Sequence, residues 1–235
     1  VKEIPLSYRM MLVSIIKESL RKANPTYYQK IYELNKGKMK PFSTAVFLRN
    51  YSISDEKISL EQLNYTISSP DQEFILYLYN GLLQLNFLQY QEYKLYRTNI
   101  RLVHEREIRS NAVLFRTLSP ILVEDREGKP VAPFDPKYPE HLNYYADLIL
   151  KSYHGFGLRK ELIIKPGKMR KQVIKEVMKL SKDEGREGEK LYYTAYKGFL
   201  YIKGDPGDLQ LLYQLGLSKR RSQGFGLLEI EREEV

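Results

Sequence analysis

The sequence predicts an α+β protein made of two tandem domains, each with an element order close to βαββαβ. Segments in which apolar and polar residues alternate, a pattern typical of strands, recur in both halves of the chain. Longer segments with apolar residues at helical spacing separate them. The predicted domains are residues 1–118 and 119–235, with the boundary in the segment 118–120.

Local signals define the elements of the first half. Asn24 followed by Pro25 is typical of a helix N-cap and first helical residue, and Asp71 restarts a helix after a proline. The predicted elements are, in order, helices over 8–22 and 26–34, strands over 42–51 and 57–68, a helix from 71 to about 86, and a strand over 90–107.

The second half repeats this logic. The predicted elements are strands over 112–118 and 120–123, a turn at 125–128, a helix over 137–153, strand candidates over 158–165, 169–180 and 190–203, and a helix over 205–215. Pro166-Gly167 and the glycines at 185 and 188 punctuate these strands. The segment 169–180 also fits a helix, because Val173, Val177 and Leu180 follow a helical period.

A basic, glycine-framed segment leads into the last predicted strand, and we call residues 216–226 the glycine loop. Glycine permits positive φ and a close approach of the backbone to a ligand, and adjacent cations attract anions. The loop therefore predicts binding of a phosphate backbone, most simply RNA; the alternatives are a solvated turn and, for its first glycine, a helix C-terminal residue. The candidate contacts are Gly216, Lys219, Arg220, Arg221, Ser222, Gly224 and Gly226.

Composition narrows the class of protein. The 235 residues carry a formal charge of +9 with a pI near 9.4, which favours nucleic acid, an acidic protein or an anionic membrane surface as the partner. The chain has no cysteine, which excludes disulfides, thiolate catalysis and zinc ribbons. His104, His141 and His154 show no metal-ligand spacing. We expect no bound metal and no cofactor.

The location predicted from the sequence is the cytoplasm. The most apolar run, residues 74–88, is interrupted by Asn80, Gly81, Gln84 and Asn86 and is too short and polar to span a bilayer. No signal peptide is visible, so no membrane partner is expected. The chain begins with valine, which predicts a truncated or processed N-terminus.

Four short motifs occur in an order that resembles a known family. They are Pro5-Leu-Ser-Tyr-Arg9, Lys40-Pro-Phe-Ser43, Thr117-Leu-Ser-Pro-Ile121 and the glycine loop. Over nearly the whole chain they resemble the CRISPR-associated endoribonuclease that processes repeat RNA, within the RAMP superfamily. The resemblance implies two tandem ferredoxin-like, RRM-like domains with a central RNA-binding cleft.

The resemblance also implies an activity and partners. The family cuts precursor CRISPR transcripts without metal, by attack of a ribose 2′-hydroxyl that leaves a 2′,3′-cyclic phosphate and a 5′-hydroxyl. The implied partners are CRISPR repeat RNA, an effector complex and a second copy of the chain. Residues 162–171 match the family's basic hairpin, which implies RNA contacts by Lys165, Lys168, Arg170 and Lys171; a solvated hairpin is the alternative.

The expected catalytic residues depart from the family pattern. The family's usual histidine position is occupied by Tyr32, which is a poor base because free tyrosine has a pKa of about 10, although it can act as an acid or a hydrogen-bond donor. Lys40 matches the family's lysine and is the leading catalytic candidate. Ile16 replaces a tyrosine, for which Tyr28 is a candidate substitute. Lys36 and Lys38 are candidate phosphate contacts.

Three interpretations remain open from the sequence. One is a lysine-dependent endoribonuclease, in which positioning of the 2′-hydroxyl supplies much of the rate. Another is a catalytically inactive member that only holds repeat or guide RNA. The third is a site whose histidine was replaced by nature or by design. A general RRM-like RNA-binding protein is a more distant alternative, and the three histidines are expected to be structural or solvated.

Overall fold

The computed structural model describes residues 3–54, 56–177 and 190–234. They form two α+β halves in chain order, each with helices packed on an antiparallel sheet. None of the helices in these ranges is both long and apolar enough to cross a membrane.

The first half contains a three-stranded antiparallel sheet in the order β1-β3-β2. Its elements are β1 (Glu3–Pro5), α1 (Arg9–Ala23), α2 (Pro25–Gln29), a π-helical turn (Lys30–Leu34), β2 (Ser43–Ser54), β3 (Lys57–Ser68), α3 (Gln72–Leu83), β4 (Phe87–Tyr90) and β5 (Tyr93–Tyr96). The hairpin β4–β5 places β5 in contact with β1. Strands β1, β2 and β3 with α1 and α3 thus have the arrangement of a ferredoxin-like domain.

The second half contains a four-stranded antiparallel sheet in the order β7-β8-β6-β9. Its elements are β6 (Ala112–Thr117), α4 (Tyr138–His154), β7 (Ile163–Val177), β8 (Lys190–Lys203), α5 (Pro206–Leu215), a 3₁₀ turn (Arg221–Gln223) and β9 (Leu228–Glu233). With α4 and α5 as its helices, this half is a βαββαβ unit. The predicted α+β class with two ferredoxin-like domains is confirmed.

Side-chain caps fix three of the helix starts. Oδ1 of Asn24 accepts a hydrogen bond from the backbone N–H of Tyr27 at 3.0 Å, which begins α2. Asp71 caps α3 in the same way, and Asp205 caps α5. Each cap satisfies an N–H that has no partner within its helix. The helix starts predicted at Asn24-Pro25, at Asp71 and at Asp205-Pro206 are therefore confirmed.

Each half has its own apolar core. In the first half, Phe42 and Phe74 stack with ring centroids 4.6 Å apart, beside Ile16 and Leu20 of α1. The second half buries a larger cluster between its sheet and helices α4 and α5. Phe42 comes directly before β2, so the first core fixes the position of the adjoining segment that carries Lys40.

The predicted strand over residues 90–107 is wrong beyond Tyr96. Gln91 has a φ of +55° and begins the turn that folds β5 back onto β4. Residues 97–109 contain no regular element. Leu102 and Val103 are 70% and 72% exposed, so an alternating pattern here found no neighbouring strand to pair with.

Three further predictions are corrected by the pairing of strands. Residues 120–123 form one bridge, Ile121 with Tyr196, instead of a strand. The strand candidates over 158–165 and 169–180 merge into β7, which runs through Pro166 with an irregularity before Met169. Residues 169–177 therefore form a strand and not a helix. Residues 178–189, including Leu180 and the glycines at 185 and 188, lie outside the described residues.

The predicted domain boundary falls after a strand that pairs with the second sheet. Strand β6 lies between β8 and β9 and hydrogen-bonds to both. The second sheet therefore begins at Ala112, before the predicted boundary at 118/119. The order of predicted elements already placed residues 112–118 in the second half, although the boundary was set after them.

Gly81 provides a test of the close packing of α1 against α3. A Cβ at Gly81 would lie 1.9 Å from the carbonyl oxygen of Ser19. Gly81→Ala is expected to lower the free energy of unfolding by about 1–3 kcal/mol, since the helices must separate. Chemical denaturation measures this. The matched control is Gly37→Ala, whose Cβ would meet nothing within 4 Å; a similar loss in both variants would contradict the explanation.

Candidate nucleic-acid interface

Tyr32 lies in the π-helical turn and cannot serve as a base. Its ring stacks on Tyr28, one turn earlier, with centroids 5.4 Å apart. Its hydroxyl is shut off from solvent and has no hydrogen-bond partner among the described residues. Burial raises the pKa of Tyr32 above its usual value. The hydroxyl is therefore protonated at neutral pH.

Two ammonium groups lie beside the Tyr32 ring. Nζ of Lys17, from α1, is 5.1 Å from the ring centroid, and Nζ of Lys40, from the segment before β2, is 5.4 Å from it. Both distances are typical of cation–π contacts. The pKa of Lys40 is lowered, first by burial and then by repulsion from Lys17.

Lys40 is held by backbone carbonyls at the end of the π-helical turn. Its Nζ donates hydrogen bonds to the carbonyl oxygens of Ile31 and Asn35, both at 2.7 Å. A cation at a helix C-terminus is favoured by the helix dipole. These bonds use two of the three N–H groups of the ammonium. One position on Nζ is left for a ligand.

The other residues predicted around this site lie close by in different roles. The hydroxyl of Tyr28 accepts a hydrogen bond from Nη2 of Arg21 at 3.1 Å, and the guanidinium lies over the Tyr28 ring. Lys36 and Lys38 are exposed on the turn before Lys40. The structure thus brings Tyr28, Tyr32 and Lys40 together, with exposed lysines at the rim.

The glycines of the glycine loop permit close packing between the two halves. Gly216, Gly224 and Gly226 have φ values of 78°, 86° and 71°. A Cβ at Gly216 would lie 2.7 Å from Cβ of Ser43 in β2, and one at Gly226 would lie 2.3 Å from Cβ of Ser218. The N–H of Gly226 donates to Pro120. These three glycines are buried, so they shape the loop and do not present an open surface to a phosphate.

The cations of the glycine loop are not equivalent. Lys219 forms an ion pair with Glu124. Arg220 is exposed, and its guanidinium lies 4.6 Å from the ring centroid of Tyr193. Ser222 is partly exposed. Nη1 of Arg220 donates to Oε1 of Gln223 at 3.0 Å, and Arg220 is the exposed loop cation that forms no ion pair among the described residues.

The burial of Arg221 argues against the prediction that all three cations of the glycine loop contact RNA. Its side chain is only 5% exposed. It donates hydrogen bonds to the carbonyl oxygens of Leu215 and, at 3.3 Å, of Lys40. Burial lowers its pKa to about 10. Arg221 thus connects the glycine loop to the backbone of Lys40 by a hydrogen bond.

The four predicted cations of residues 162–171 lie on one strand. Lys165, Lys168, Arg170 and Lys171 are exposed on β7. Residues 162–171, which were predicted to match a basic hairpin, do not form one by themselves, because pairing with β8 resumes at Met169 and the chain does not reverse at Pro166-Gly167. The hairpin is formed by β7 with β8. The cations therefore extend along it and do not cluster at a turn.

A cleft of about 290 Å³ lies between the two halves. Its lining combines exposed aromatic rings with polar side chains, including Phe47, Tyr51, Gln172, Lys197 and Gln223. At one end, Arg9 of α1 forms a 3.2 Å ion pair with Glu176 of β7. The Arg9 guanidinium lies 5.2 Å from the ring centroids of both Tyr8 and Phe225.

Sequence reasoning missed Lys17, Arg9, Glu176 and the aromatic residues of the cleft. Arg9 belongs to a motif that was recognised, but its partner is 167 residues away. Lys17 directly follows Ile16 in the chain, but its place beside Tyr32 depends on how α1 packs against the π-helical turn. Among the described residues, no three His, Asp or Glu side chains group in a way that could hold a metal ion; the expected absence of a metal stays a prediction.

Arg221 and Arg220 separate a structural cation from an exposed one. Arg221→Ala is expected to lower the free energy of unfolding by on the order of 3 kcal/mol, because carbonyl groups lose their donors in a buried place. Arg220→Ala is expected to change it by less than about 0.5 kcal/mol. Urea denaturation compares them, and equal losses would show that Arg221 has no special structural role.

Glu176 gives a pH test of the contact between α1 and β7. One carboxylate oxygen is buried without a partner, and burial raises the pKa of Glu176, opposed by Arg9. A raised pKa means that the folded state binds the proton more tightly. The stability from this group is present below pH 4.5, the unfolded value, and is lost as pH rises through the folded pKa.

Glu176→Gln removes this titration. Its unfolding temperature is therefore expected to rise relative to the wild type as pH increases from 4 to 8. Thermal unfolding at a series of pH values measures the difference. Glu61→Gln, at an exposed position of β3, is the control. A constant difference between Glu176→Gln and wild type over this range would contradict the assignment.

Comparisons with known proteins agree with this geometry. The families described as CRISPR-associated protein Cas6, N-terminal, and CRISPR associated protein Cas6, C-terminal, match residues 3–101 and 103–230. The chain is 23% identical over 231 residues to the CRISPR-associated endoribonuclease Cas6 1 of Methanocaldococcus jannaschii, which covers 96% of this chain and 86% of the relative.

Solved structures share the fold. The product of a Cas6-related gene from Pyrococcus furiosus matches with a TM-score of 0.78 and 19% identity, over 99% of this chain and 97% of the other. A RAMP protein described as binding different RNA substrates matches with a TM-score of 0.72 and 18% identity, over 97% and 93%. Since family matches account for both halves, the chain belongs to the CRISPR-associated Cas6 family.

Proposed function

We propose that the protein binds CRISPR repeat RNA and cleaves it without metal, through attack of the ribose 2′-hydroxyl on the adjoining phosphate. Family membership and the relative named as an endoribonuclease support repeat-RNA binding and processing. The proposal that the protein cleaves RNA depends on the Lys40 ammonium. Two of its N–H groups are bound to carbonyls, and one position is left for a ligand. Assembly with an effector complex, a homodimer and a cytoplasmic location are part of the same proposal.

Exposed cations from both halves would contact the RNA backbone. They comprise Lys36 and Lys38 in the first half, and Lys165, Lys168, Arg170, Lys171 and Arg220 in the second. Each phosphate contact adds to the salt dependence of binding. The cleft offers Phe47 and Tyr51, 64% and 54% exposed, as surfaces on which unpaired bases can stack. This combination favours single-stranded RNA in the cleft.

The proposed chemistry is a transesterification. The 2′-oxygen forms a bond to phosphorus as the bond from phosphorus to the 5′-oxygen breaks. The 2′-hydroxyl proton passes to water, and the leaving 5′-oxygen takes a proton from the Lys40 ammonium, which regains one from solvent. The lowered pKa of Lys40 makes it a better acid than an ordinary lysine. The products carry a 2′,3′-cyclic phosphate and a 5′-hydroxyl.

Tyr32 favours a second candidate function, in which the protein holds repeat RNA without cutting it. Its buried, protonated hydroxyl offers no base where the family usually has a histidine. The same exposed cations and cleft would serve such a protein. The two candidates differ only in whether a bond is broken.

The first test is cleavage of a labelled repeat RNA in EDTA under single-turnover conditions. We expect a product that ends in a cyclic phosphate, and none from an RNA with a deoxyribose at the cleavage position. Tight, repeat-selective binding without product would support the RNA-holding function. Absence of both binding and cleavage would overturn the assignment to repeat RNA.

Substitution of Lys40 tests its role in that reaction. Lys40→Met is expected to lower the single-turnover rate by about 100-fold, because a donor to the reacting phosphate is lost. Lys38→Met, at an exposed position two residues earlier, is expected to weaken binding at high salt but leave the rate at saturating protein nearly unchanged. Circular dichroism checks that both variants are folded. Equal rates for the two variants would exclude Lys40 from the chemistry.

Tyr32→His tests whether the site lacks only a base. A free imidazole has a pKa of about 6.5, and burial and two nearby ammonium groups would lower it. A neutral imidazole could accept the 2′-hydroxyl proton, so we expect faster cleavage at neutral pH. Tyr32→Phe is the control and should not gain activity. If the histidine variant is no faster than wild type, the missing base does not limit the rate.

A further inference from the structure

A lysine that the proposed reaction does not use lies beside Tyr32. Lys17 is on α1, and its Nζ is 5.1 Å from the Tyr32 ring centroid, while Nζ of Lys40 is 5.4 Å from the same centroid. The charge of Lys17 is near enough to Lys40 to lower its pKa. Two ammonium groups that repel each other are therefore held together in a partly buried recess.

Neither Lys17 nor Lys40 forms an ion pair with a carboxylate of residues 3–54, 56–177 or 190–234. The neighbouring Arg21, one turn along α1, is paired with Glu18 at 2.7 Å. Like charges near one another disfavour the charged state of each, and an anion placed between them reverses the effect. The recess is thus electrostatically suited to an anion.

The hydrogen bonds of Lys40 leave it too few free N–H groups to bind both non-bridging oxygens of a phosphate. Ile31 and Asn35 engage two of its N–H groups, so Lys40 can offer one donor to a phosphate. A phosphodiester has two non-bridging oxygens, and their charge grows in the transition state of cleavage. The Lys17 ammonium forms no hydrogen bond with the described residues and can direct its donors to such a ligand.

We propose that Lys17 is a second phosphate-binding residue of this site, and that it holds the non-bridging oxygens of the RNA phosphodiester whose leaving 5′-oxygen faces the remaining N–H of Lys40. This inference rests on the proposed function and specifies how its substrate is held. The Tyr32 ring lies near both cations and takes no part in proton transfer. The Lys17 ammonium stabilises the charge on the reacting phosphate, while Lys40 protonates the leaving 5′-oxygen.

A purely structural Lys17 would behave differently. If the ammonium only packs on the Tyr32 ring, its removal lowers stability and leaves the salt dependence of RNA binding unchanged. A phosphate contact instead contributes to counterion release, about 0.7 in the slope of log affinity against log salt for a single strand. The slope therefore distinguishes a bound phosphate from packing.

The experiment compares wild type, Lys17→Ala and Lys17→Arg with Lys22→Ala, which removes an exposed lysine from the same helix. Binding of a repeat RNA with a deoxyribose at the cleavage position is measured over a salt series, so it does not depend on cutting. Single-turnover cleavage of the all-ribose RNA is measured from pH 6 to 10. Thermal unfolding confirms that each variant is folded.

For Lys17→Ala we expect a salt slope smaller by about 0.7 and a rate about 100-fold lower. We also expect the descending limb of the pH–rate profile to move to higher pH. The sign follows because Lys40 acts in its protonated form, and removal of the Lys17 charge lets the Lys40 pKa rise toward its ordinary value. Lys17→Arg should restore most of the binding and rate, and Lys22→Ala should leave the rate unchanged.

The outcomes separate this inference from the proposed function. An unchanged slope and rate for Lys17→Ala, with active wild type, would overturn the role of Lys17 and leave RNA cleavage intact. A third outcome is that wild type does not cut, that the salt slope of RNA binding is smaller for Lys17→Ala, and that it is unchanged for Lys17→Arg. Cleavage would then be excluded, and the contact between Lys17 and a phosphate would be supported. Loss of stability alone would assign Lys17 a packing role.

Discussion

The buried guanidinium of Arg221 connects the two halves of this protein at the point where the candidate chemistry lies. It donates to a carbonyl at the end of α5 and to the carbonyl of Lys40, and it is almost fully buried. A buried cation is costly unless its hydrogen bonds are made. The glycine loop and the Lys40 segment are therefore held in one relative position, because any separation would leave this charge without its acceptors.

The same arrangement explains why the glycines matter although they do not face solvent. Gly216 packs against Ser43, directly after the segment that carries Lys40. A side chain at that position would push the loop away from β2 and weaken the Arg221 contact. Gly216 therefore permits the close approach of the loop to β2, and the hydrogen bond from Arg221 to Lys40 stabilises it. The exposed Arg220 beside it remains available for binding.

The sequence was sufficient for the elements with strong local signals and for the fold. The capped helices beginning after Asn24, Asp71 and Asp205 needed only neighbouring residues. The sequence did not predict where β5 ends or that β7 continues through Pro166. Both depend on which strand lies alongside, and an alternating apolar pattern does not encode that. In the candidate site, motif positions pointed to Tyr28, Tyr32 and Lys40, which lie together in the structure, and their catalytic roles stay a prediction. Burial of Arg221 and the proximity of Lys17 depend on tertiary packing, so neither could be read from spacing.

The Arg221 contact also has a consequence for how the protein is made. The residues it joins are 181 positions apart in the chain, so the loop closure that brings them together is entropically demanding and slow compared with local helix formation. During synthesis, domains fold from the N-terminus as they emerge. The contact between the Lys40 segment and the glycine loop thus forms only after the loop has been translated. A nascent first half therefore holds its helices, its sheet and the bonds of Lys40 to Ile31 and Asn35 before the second half is joined to it.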